Sequence, residues 1–151
     1  METTNEKNTA TLTHLSTLSQ FFIPFGNYIF PIIIWSTNKE KSSFVSFHGK
    51  QSLNFQLSIL LYSLLLCLIA LPILIFAVVD SFPFTLNFDH STFSFSNLHL
   101  ENCSGLVIIG GVALLLLFIL KATEFFLVLY ASIKASNGEK YCYPLSIPFL
   151  K

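Results

Sequence analysis

A run of 27 residues without a charged side chain, from Leu53 to Val79, constrains the fold of this chain most strongly. A helix needs roughly 20 apolar residues to cross the hydrocarbon core of a bilayer, so this run is long enough to span it. A second block, residues 105–136, is also long enough, although it contains Lys121 and Glu124. The sequence therefore predicts an all-α, polytopic membrane bundle with two spanning helices, residues 53–79 and 105–136.

A third apolar block, residues 15–35, contains Pro24, Gly26, Asn27 and Pro31, which interrupt regular backbone hydrogen bonding. It is predicted to be a broken helix. If it penetrates deeply, the two spans must cover it, because irregular backbone is costly when it contacts lipid. The block either crosses the bilayer completely or enters and returns on the same side. The sequence leaves both arrangements open.

The lysines predict the orientation, because cytoplasmic loops retain positive charge. Three lysines lie within residues 36–52 and three follow residue 133, whereas residues 80–104 contain none; the six are Lys39, Lys41, Lys50, Lys134, Lys140 and Lys151. We therefore expect a multi-pass protein of the cell's inner membrane, with residues 36–52 and the C-terminus in the cytoplasm and residues 80–104 outside. Residues 1–14 are predicted as a polar tail, residues 15–137 as the membrane domain and residues 138–151 as a cytoplasmic or interfacial strip.

The external connection, residues 80–104, has apolar residues at alternate positions, which predicts two short strands in a β-hairpin. It also contains His90, His99, Glu101 and Cys103. Their spacing matches no recognised metal-ligand pattern, so we reject a metal site there.

Several other classes of function find no support in the sequence. Eight lysines balance eight acidic residues, so no basic surface for nucleic acid is expected. No nucleophile elbow, phosphate-binding loop or HExxH motif is present, which predicts a non-enzyme without a cofactor. Cys67, Cys103 and Cys142 are expected to be unpaired thiols.

Polar side chains enter the first span along one helix face. Gln51, Asn54, Ser58 and Tyr62 follow each other at steps of three, four and four residues. Such groups hold membrane helices together through hydrogen bonds, and we favour that role over a transport path.

Lys121 and Glu124 lie within the second span, where charged side chains are costly. Their i, i+3 spacing allows an intramembrane ion pair. We favour structural or inter-subunit pairing over a proton or ion relay, and the relay stays open.

Two motifs carry a family resemblance: His48-Gly49-Lys50-Gln51-Ser52-Leu53-Asn54-Phe55-Gln56 and an ending that contains Asn137-Gly138-Glu139, Tyr141 and Tyr143-Pro144-Leu145. They resemble an uncharacterised family of small bacterial integral membrane proteins, of the domain-of-unknown-function forty-eight-seventy type. That family is grouped with Tic-twenty, the chloroplast inner-envelope import component. The resemblance implies a compact helical bundle without established catalytic activity and a distant kinship to protein translocation.

Both motifs lie on the predicted cytoplasmic side, so an antiparallel pair of spans would bring them close together. They would form a cytoplasmic cap that either closes the bundle or docks a partner. The residues of this cap are His48, Gln51, Asn54, Gln56, Asn137, Gly138, Glu139, Tyr141, Tyr143 and Pro144.

The leading functional hypothesis is a non-enzymatic accessory or scaffold subunit of a membrane assembly, linked through the resemblance to protein translocation or insertion. Its expected partners are the lipid bilayer and other membrane subunits or further copies of itself. The competing hypothesis is a homo-oligomeric transporter or channel, with intramembrane polar residues along a path. Those residues are Asn27, Gln51, Asn54, Lys121 and Glu124.

Overall fold

The helices of this computed structural model follow the apolar blocks of the sequence. The structure describes residues 2–81 and 104–150. In order, the helices are α1 (Thr4–Leu15), a 3-10 helix η1 (Ser16–Phe21), α2 (Gly26–Asn38), α3 (Ser43–Ser81) and α4 (Ser104–Ser136). Those described ranges contain helices and no strands, which confirms the predicted all-α class. The predicted β-hairpin falls on residues 82–103, outside the described part of the chain.

Two of these helices are long and apolar enough to cross a membrane. The candidate spans are Ser43–Phe76 and Ile108–Ser136. Large apolar side chains along them are exposed at the protein surface, Leu68 and Phe118 among them. Such a surface needs a non-aqueous partner. The two predicted spanning helices are confirmed, and the chain is a multi-pass membrane protein whose helices contact lipid.

Helix α1 occupies most of the stretch that composition alone identifies as a polar tail. A capping box starts it, in which the Thr3 hydroxyl accepts from the Glu6 backbone N–H and the Glu6 carboxylate accepts from the Thr3 N–H. Ala10, Thr13 and His14 are buried. The helix therefore belongs to the folded bundle.

The first apolar block is broken between η1 and α2, where the chain reverses direction. Phe25 has a φ of +63°, in the left-handed region that a bulky side chain rarely adopts. The next residue, Gly26, lies so close to η1 that a Cβ atom would be 2.5 Å from Ser19 Oγ. The absence of a side chain at Gly26 permits this tight turn.

The chain divides into two compact units, residues 1–63 with 119–151 and residues 64–118. In the first unit, Phe55, Ile59, Val128, Ala131 and Tyr143 form the buried apolar core. In the second unit, Gly110 allows a close approach to α3, because a Cβ atom there would lie 2.5 Å from Leu74 Cδ2.

Candidate functional site

Three ring side chains form a buried hydrogen-bonded chain in the first unit, which we call the His–Tyr chain. His14 lies in the last turn of α1, His48 near the start of α3, and Tyr143 seven residues beyond the end of α4. His14 Nε2 is 2.8 Å from His48 Nδ1, and the Tyr143 hydroxyl is 2.9 Å from His14 Nδ1. All three side chains are buried. The chain therefore joins two helices and the segment that follows a third.

The chemistry of these groups gives the His–Tyr chain a direction. A neutral histidine carries one N–H and one acceptor nitrogen. If Tyr143 donates to His14 Nδ1, then His14 Nε2 carries the proton and donates to His48 Nδ1. This assignment gives the tyrosine proton an acceptor.

Aromatic contacts hold the His–Tyr chain in place. The Tyr143 ring stacks on Phe55 with centroids 4.0 Å apart and planes within 6°. Phe44 meets His48 edge to face, with centroids 4.5 Å apart. Such pairs add stability beyond the burial of their surface.

Two members of the His–Tyr chain, His14 and Tyr143, lie outside the spans and are neutral around pH 7. Burial, together with the proximity of His48, lowers the pKa of His14 to about 3. Burial raises the pKa of Tyr143 well above its usual value of 10.0. His14 therefore accepts a proton more readily in the unfolded chain than in the folded one.

We expect acid to weaken the fold through His14. Its pKa falls from 6.5 unfolded to about 3 folded, so its contribution is complete above pH 6.5 and is lost as the pH falls towards 3. Between these two pH values, the free energy of unfolding falls by about 1.4 kcal/mol per pH unit through this one group. Unfolding midpoints measured in detergent across this range test it. The His14→Asn variant should show a shallower pH dependence, and an unchanged slope would contradict the assignment.

The polar stripe on α3 holds the C-terminal segment, residues 138–150. Asn54 Nδ2 donates to the Leu150 carbonyl at 3.1 Å, and Asn54 Oδ1 accepts from the Leu150 N–H at 2.8 Å. Ser58 Oγ accepts from the Ile147 N–H at 2.8 Å. The Tyr62 hydroxyl donates to the Leu145 carbonyl at 3.2 Å. The stripe thus binds the backbone of a non-helical segment rather than another helix.

Replacing Asn54 by leucine should release residues 145–150 while the helices stay folded. Two hydrogen bonds are lost, and at roughly 1 kcal/mol each the local opening becomes about 30-fold more frequent. Hydrogen exchange of the Leu150 amide measures this. Ser63→Ala is the matched control, because the Ser63 hydroxyl donates within its own helix to the Leu60 carbonyl. Equal exchange in both variants would show that Asn54 does not hold the segment.

A second polar group, the Glu124 cluster, surrounds a buried carboxylate on α4. Glu124 is 1% exposed, and Lys121 Nζ lies 2.8 Å from its Oε2. Gln20 Nε2, on η1, donates to Glu124 Oε1 at 3.0 Å. Both carboxylate oxygens are therefore used, one for a charge and one for an amide.

A third polar contact joins α2 to α3. Asn27 Nδ2 donates to Gln56 Oε1 at 2.8 Å, and both side chains are buried. Gln56 Nε2 has no hydrogen-bond partner in the structure. This amide pair places the start of α2 against the part of α3 that belongs to the first unit.

The end of α4 brings further residues of the predicted cap to α1. Gly138 has a φ of +81°, and a Cβ atom there would lie 2.8 Å from Lys7 Cε. Lys134 Nζ pairs with the Glu139 carboxylate at 2.6 Å. The Tyr141 ring meets the Tyr143 ring edge to face, with centroids 5.3 Å apart. The helix end, α1 and the C-terminal segment therefore pack together.

The first unit thus contains every residue that the sequence nominates for a site. His48, Asn54, Gln56 and Tyr143 are buried, whereas Gln51, Gly138 and Tyr141 are partly buried and Asn137, Glu139 and Pro144 are exposed. Lys121 and Glu124 make their contacts in a separate cluster with Gln20.

Two site residues escape the sequence analysis. His14 bonds to residues 34 and 129 positions away in the chain, and Gln20 bonds to one 104 positions away. No local spacing connects such partners. A polar residue beside an apolar block is the one signal that both share.

Within residues 2–81 and 104–150, no three histidine, cysteine or acidic side chains come together in a way that could hold a metal ion. Cys67 and Cys142 are free thiols. In this described part, the nominated residues make hydrogen bonds and take part in two ion pairs, Lys121–Glu124 and Lys134–Glu139.

The comparisons with known proteins correct the family assignment. No curated protein and no solved structure matches the chain. The resemblance to the Tic-twenty-like bacterial family was wrong, and with it the link to protein translocation loses its support. The two motifs behind it consist largely of residues that make internal contacts, among them His48, Asn54 and Tyr143. Packing roles of this kind do not identify a family.

One family model covers nearly the whole chain. It matches residues 5–150, which includes every helix that the structure describes apart from the first residue of α1. The chain belongs to the magnetosome magnetite crystal formation protein family, MamF/MmsF.

Proposed function

We propose that this chain is a non-enzymatic scaffold or accessory subunit of the magnetosome membrane that contributes to magnetite crystal formation. The observation that carries the proposal is the family match over residues 5–150, since that family is described by its part in magnetite crystal formation. The two apolar spans supply the membrane location. The lysine distribution supports the predicted orientation, in which the start of α3 and the end of α4 face the cytoplasm.

The use of polar groups supports a scaffold role. In the first unit, Asn54, Glu124 and Tyr143 are buried and bonded to other parts of the same chain. Buried polar networks of this kind rigidify a structure when their members are satisfied. The apolar helix surfaces stay exposed and available to lipid or to neighbouring membrane proteins. A rigid interior with an apolar exterior suits a subunit that works by packing and docking.

The competing channel hypothesis receives less support from the same contacts. Asn27, Asn54 and Glu124 each use side-chain atoms in bonds within the protomer. A path through an oligomer would require such groups to face neighbouring copies or water. Lys121 is half-exposed and is the one member of that set whose charged group reaches the surface in the described residues.

The test uses cells that form magnetosomes but lack their own members of this family. Expressing the chain should restore crystal size and number, measured by electron microscopy, because the family's role is in crystal formation. Tyr143→Ala serves as the disrupted control and Ser63→Ala as the neutral one. If the wild-type chain accumulates in the magnetosome membrane and crystals remain unchanged, the proposed role is wrong.

Purification in mild detergent separates the scaffold from the channel. A scaffold should co-purify with other membrane proteins that mass spectrometry identifies in stoichiometric amounts. A homo-oligomer that conducts ions in liposomes would instead favour the channel.

A further inference from the structure

The segment before α3 forms a helical hairpin whose first arm runs antiparallel to α4. Three contacts mark the pairing, and the residue number falls on α4 as it rises along the first arm. Lys7 packs against Gly138, the Thr11 hydroxyl lies 3.5 Å from the Ser132 carbonyl, and Gln20 bonds to Glu124 at 3.0 Å. The first arm, α1 with η1, therefore follows α4 from its end back to Glu124.

The second arm, α2, returns antiparallel to the first half of α3. Asn27 bonds to Gln56 at the start of this arm. Near its end, Trp35 packs so closely against Gly49 that a Cβ atom there would overlap the indole ring. At the open end of the hairpin, hydrogen bonding to Ser42 lowers the pKa of the Glu6 carboxyl to about 2. The first arm thus begins, and the second arm finishes, at the same end of the first unit.

The depth of the turn follows from its partner on α4. Glu124 precedes the end of that helix, Ser136, by 12 residues, which corresponds to about 18 Å at 1.5 Å per residue. Half of the hydrocarbon core is about 15 Å. Because Gln20 bonds to Glu124, residues 21–25 lie at roughly the middle of the bilayer when α4 spans it.

The turn, residues 21–25, presents an apolar surface at that depth. Phe21, Phe22 and Phe25 are 66%, 89% and 71% exposed. The Phe21 ring meets the Phe125 ring of α4 edge to face, with centroids 6.4 Å apart. Phe126, beside it, is exposed on the span. The turn surface is therefore continuous with the lipid-facing surface of α4.

The backbone of the turn is compatible with lipid, where unbonded N–H groups are costly. The N–H groups of Phe22 and Ile23 donate to the Ser19 carbonyl, and that of Gly26 donates to the Ile23 carbonyl. Pro24 has no N–H to satisfy. The reversal thus needs little hydrogen bonding from water.

We infer that residues 21–25 are the tip of a re-entrant hairpin that inserts into the lipid acyl chains near the middle of the bilayer. Helices α1 and α2 then enter and leave on one side, and the partner of the exposed phenylalanines is lipid. The inference is independent of the proposed function, because it depends on contacts within the first unit and on α3 and α4 as spans.

Tryptophan quenching tests the position of the tip. The chain has one tryptophan, so the Trp35→Phe/Phe22→Trp variant places a single indole at the tip. In vesicles of brominated phosphatidylcholine, we expect bromines near the chain ends to quench it about twofold more than bromines near the headgroups. Trp35→Phe/Phe126→Trp is the control at the same depth on α4. The Phe22 site is exposed, and circular dichroism checks that the helices persist.

Two outcomes would overturn the inference. Quenching of the Phe22→Trp indole by aqueous iodide would place the tip in water. Resistance to both iodide and bromines, with normal quenching at Phe126→Trp, would place it against protein, as in an interface with a second copy.

Cysteine labelling tests whether the hairpin enters and leaves the bilayer on the same side. Two single-cysteine proteins are prepared from the Cys67→Ser/Cys103→Ser background: one keeps Cys142, and the other carries Cys142→Ser with Asn5→Cys. In sealed vesicles of uniform orientation, a membrane-impermeant maleimide should label both proteins from the same side. Labelling from opposite sides would show that the first block crosses the bilayer and would refute re-entry.

Discussion

Replacing Glu124 by leucine is expected to lower the free energy of unfolding by about 3 kcal/mol, the lower end of the range for breaking a buried ion pair. The carboxylate is 1% exposed and accepts hydrogen bonds from both Lys121 and Gln20. Its loss leaves the ammonium and the amide without an acceptor. The cost stays at the lower end because the Lys121 side chain is 50% exposed and can turn outwards. Unfolding in mixed micelles measures the change.

The double variant separates pairing from a relay. Lys121→Leu should destabilise the chain to a similar degree, because it leaves a buried carboxylate with one neutral donor. Lys121→Leu/Glu124→Leu should cost less than the sum of the two single changes, since the groups are coupled. Thr123→Ala, whose hydroxyl donates to the Ile119 carbonyl of the same helix, is the control. Single variants that fold with unchanged stability but abolish crystal formation would instead favour a relay.

Replacing Tyr143 by alanine is expected to cost about 4 kcal/mol. In other protein cores, replacing a buried aromatic side chain by alanine costs roughly 3–5 kcal/mol of folding stability. Here it removes the stack on Phe55 and the hydrogen bond to His14. The C-terminal segment should then detach from α1 and α3 together, which unfolding in mixed micelles and proteolysis of that segment would detect.

The conservative variant divides the effect between the ring and the hydroxyl. Tyr143→Phe retains the stack and should cost about 1–1.5 kcal/mol, the worth of one buried hydrogen bond. Cys142→Ala, at the exposed neighbouring position, should have little effect. If Tyr143→Phe is as damaging as Tyr143→Ala, the hydroxyl and not the ring anchors the segment.

Much of the site can be anticipated wherever its partners are close in sequence. The stripe of Asn54, Ser58 and Tyr62 follows from helical periodicity, and the i, i+3 spacing of Lys121 and Glu124 allows the contact that the structure contains. Periodicity places these groups on one helix face but does not identify the segment that packs against that face. The stripe holds backbone of residues 145–150, a partner about 90 positions further along the chain.

The amino-acid sequence by itself determines that this chain has two membrane-spanning helices, because apolar length and the lack of charge are local properties with a fixed relation to bilayer thickness. Tertiary structure alone decides that the first apolar block folds back and that His14 lies between His48 and Tyr143. Proline and glycine mark where a helix breaks but do not set the direction in which the chain continues. That direction depends on contacts such as Gln20 with Glu124 and Trp35 with Gly49, which form only when distant segments pack together.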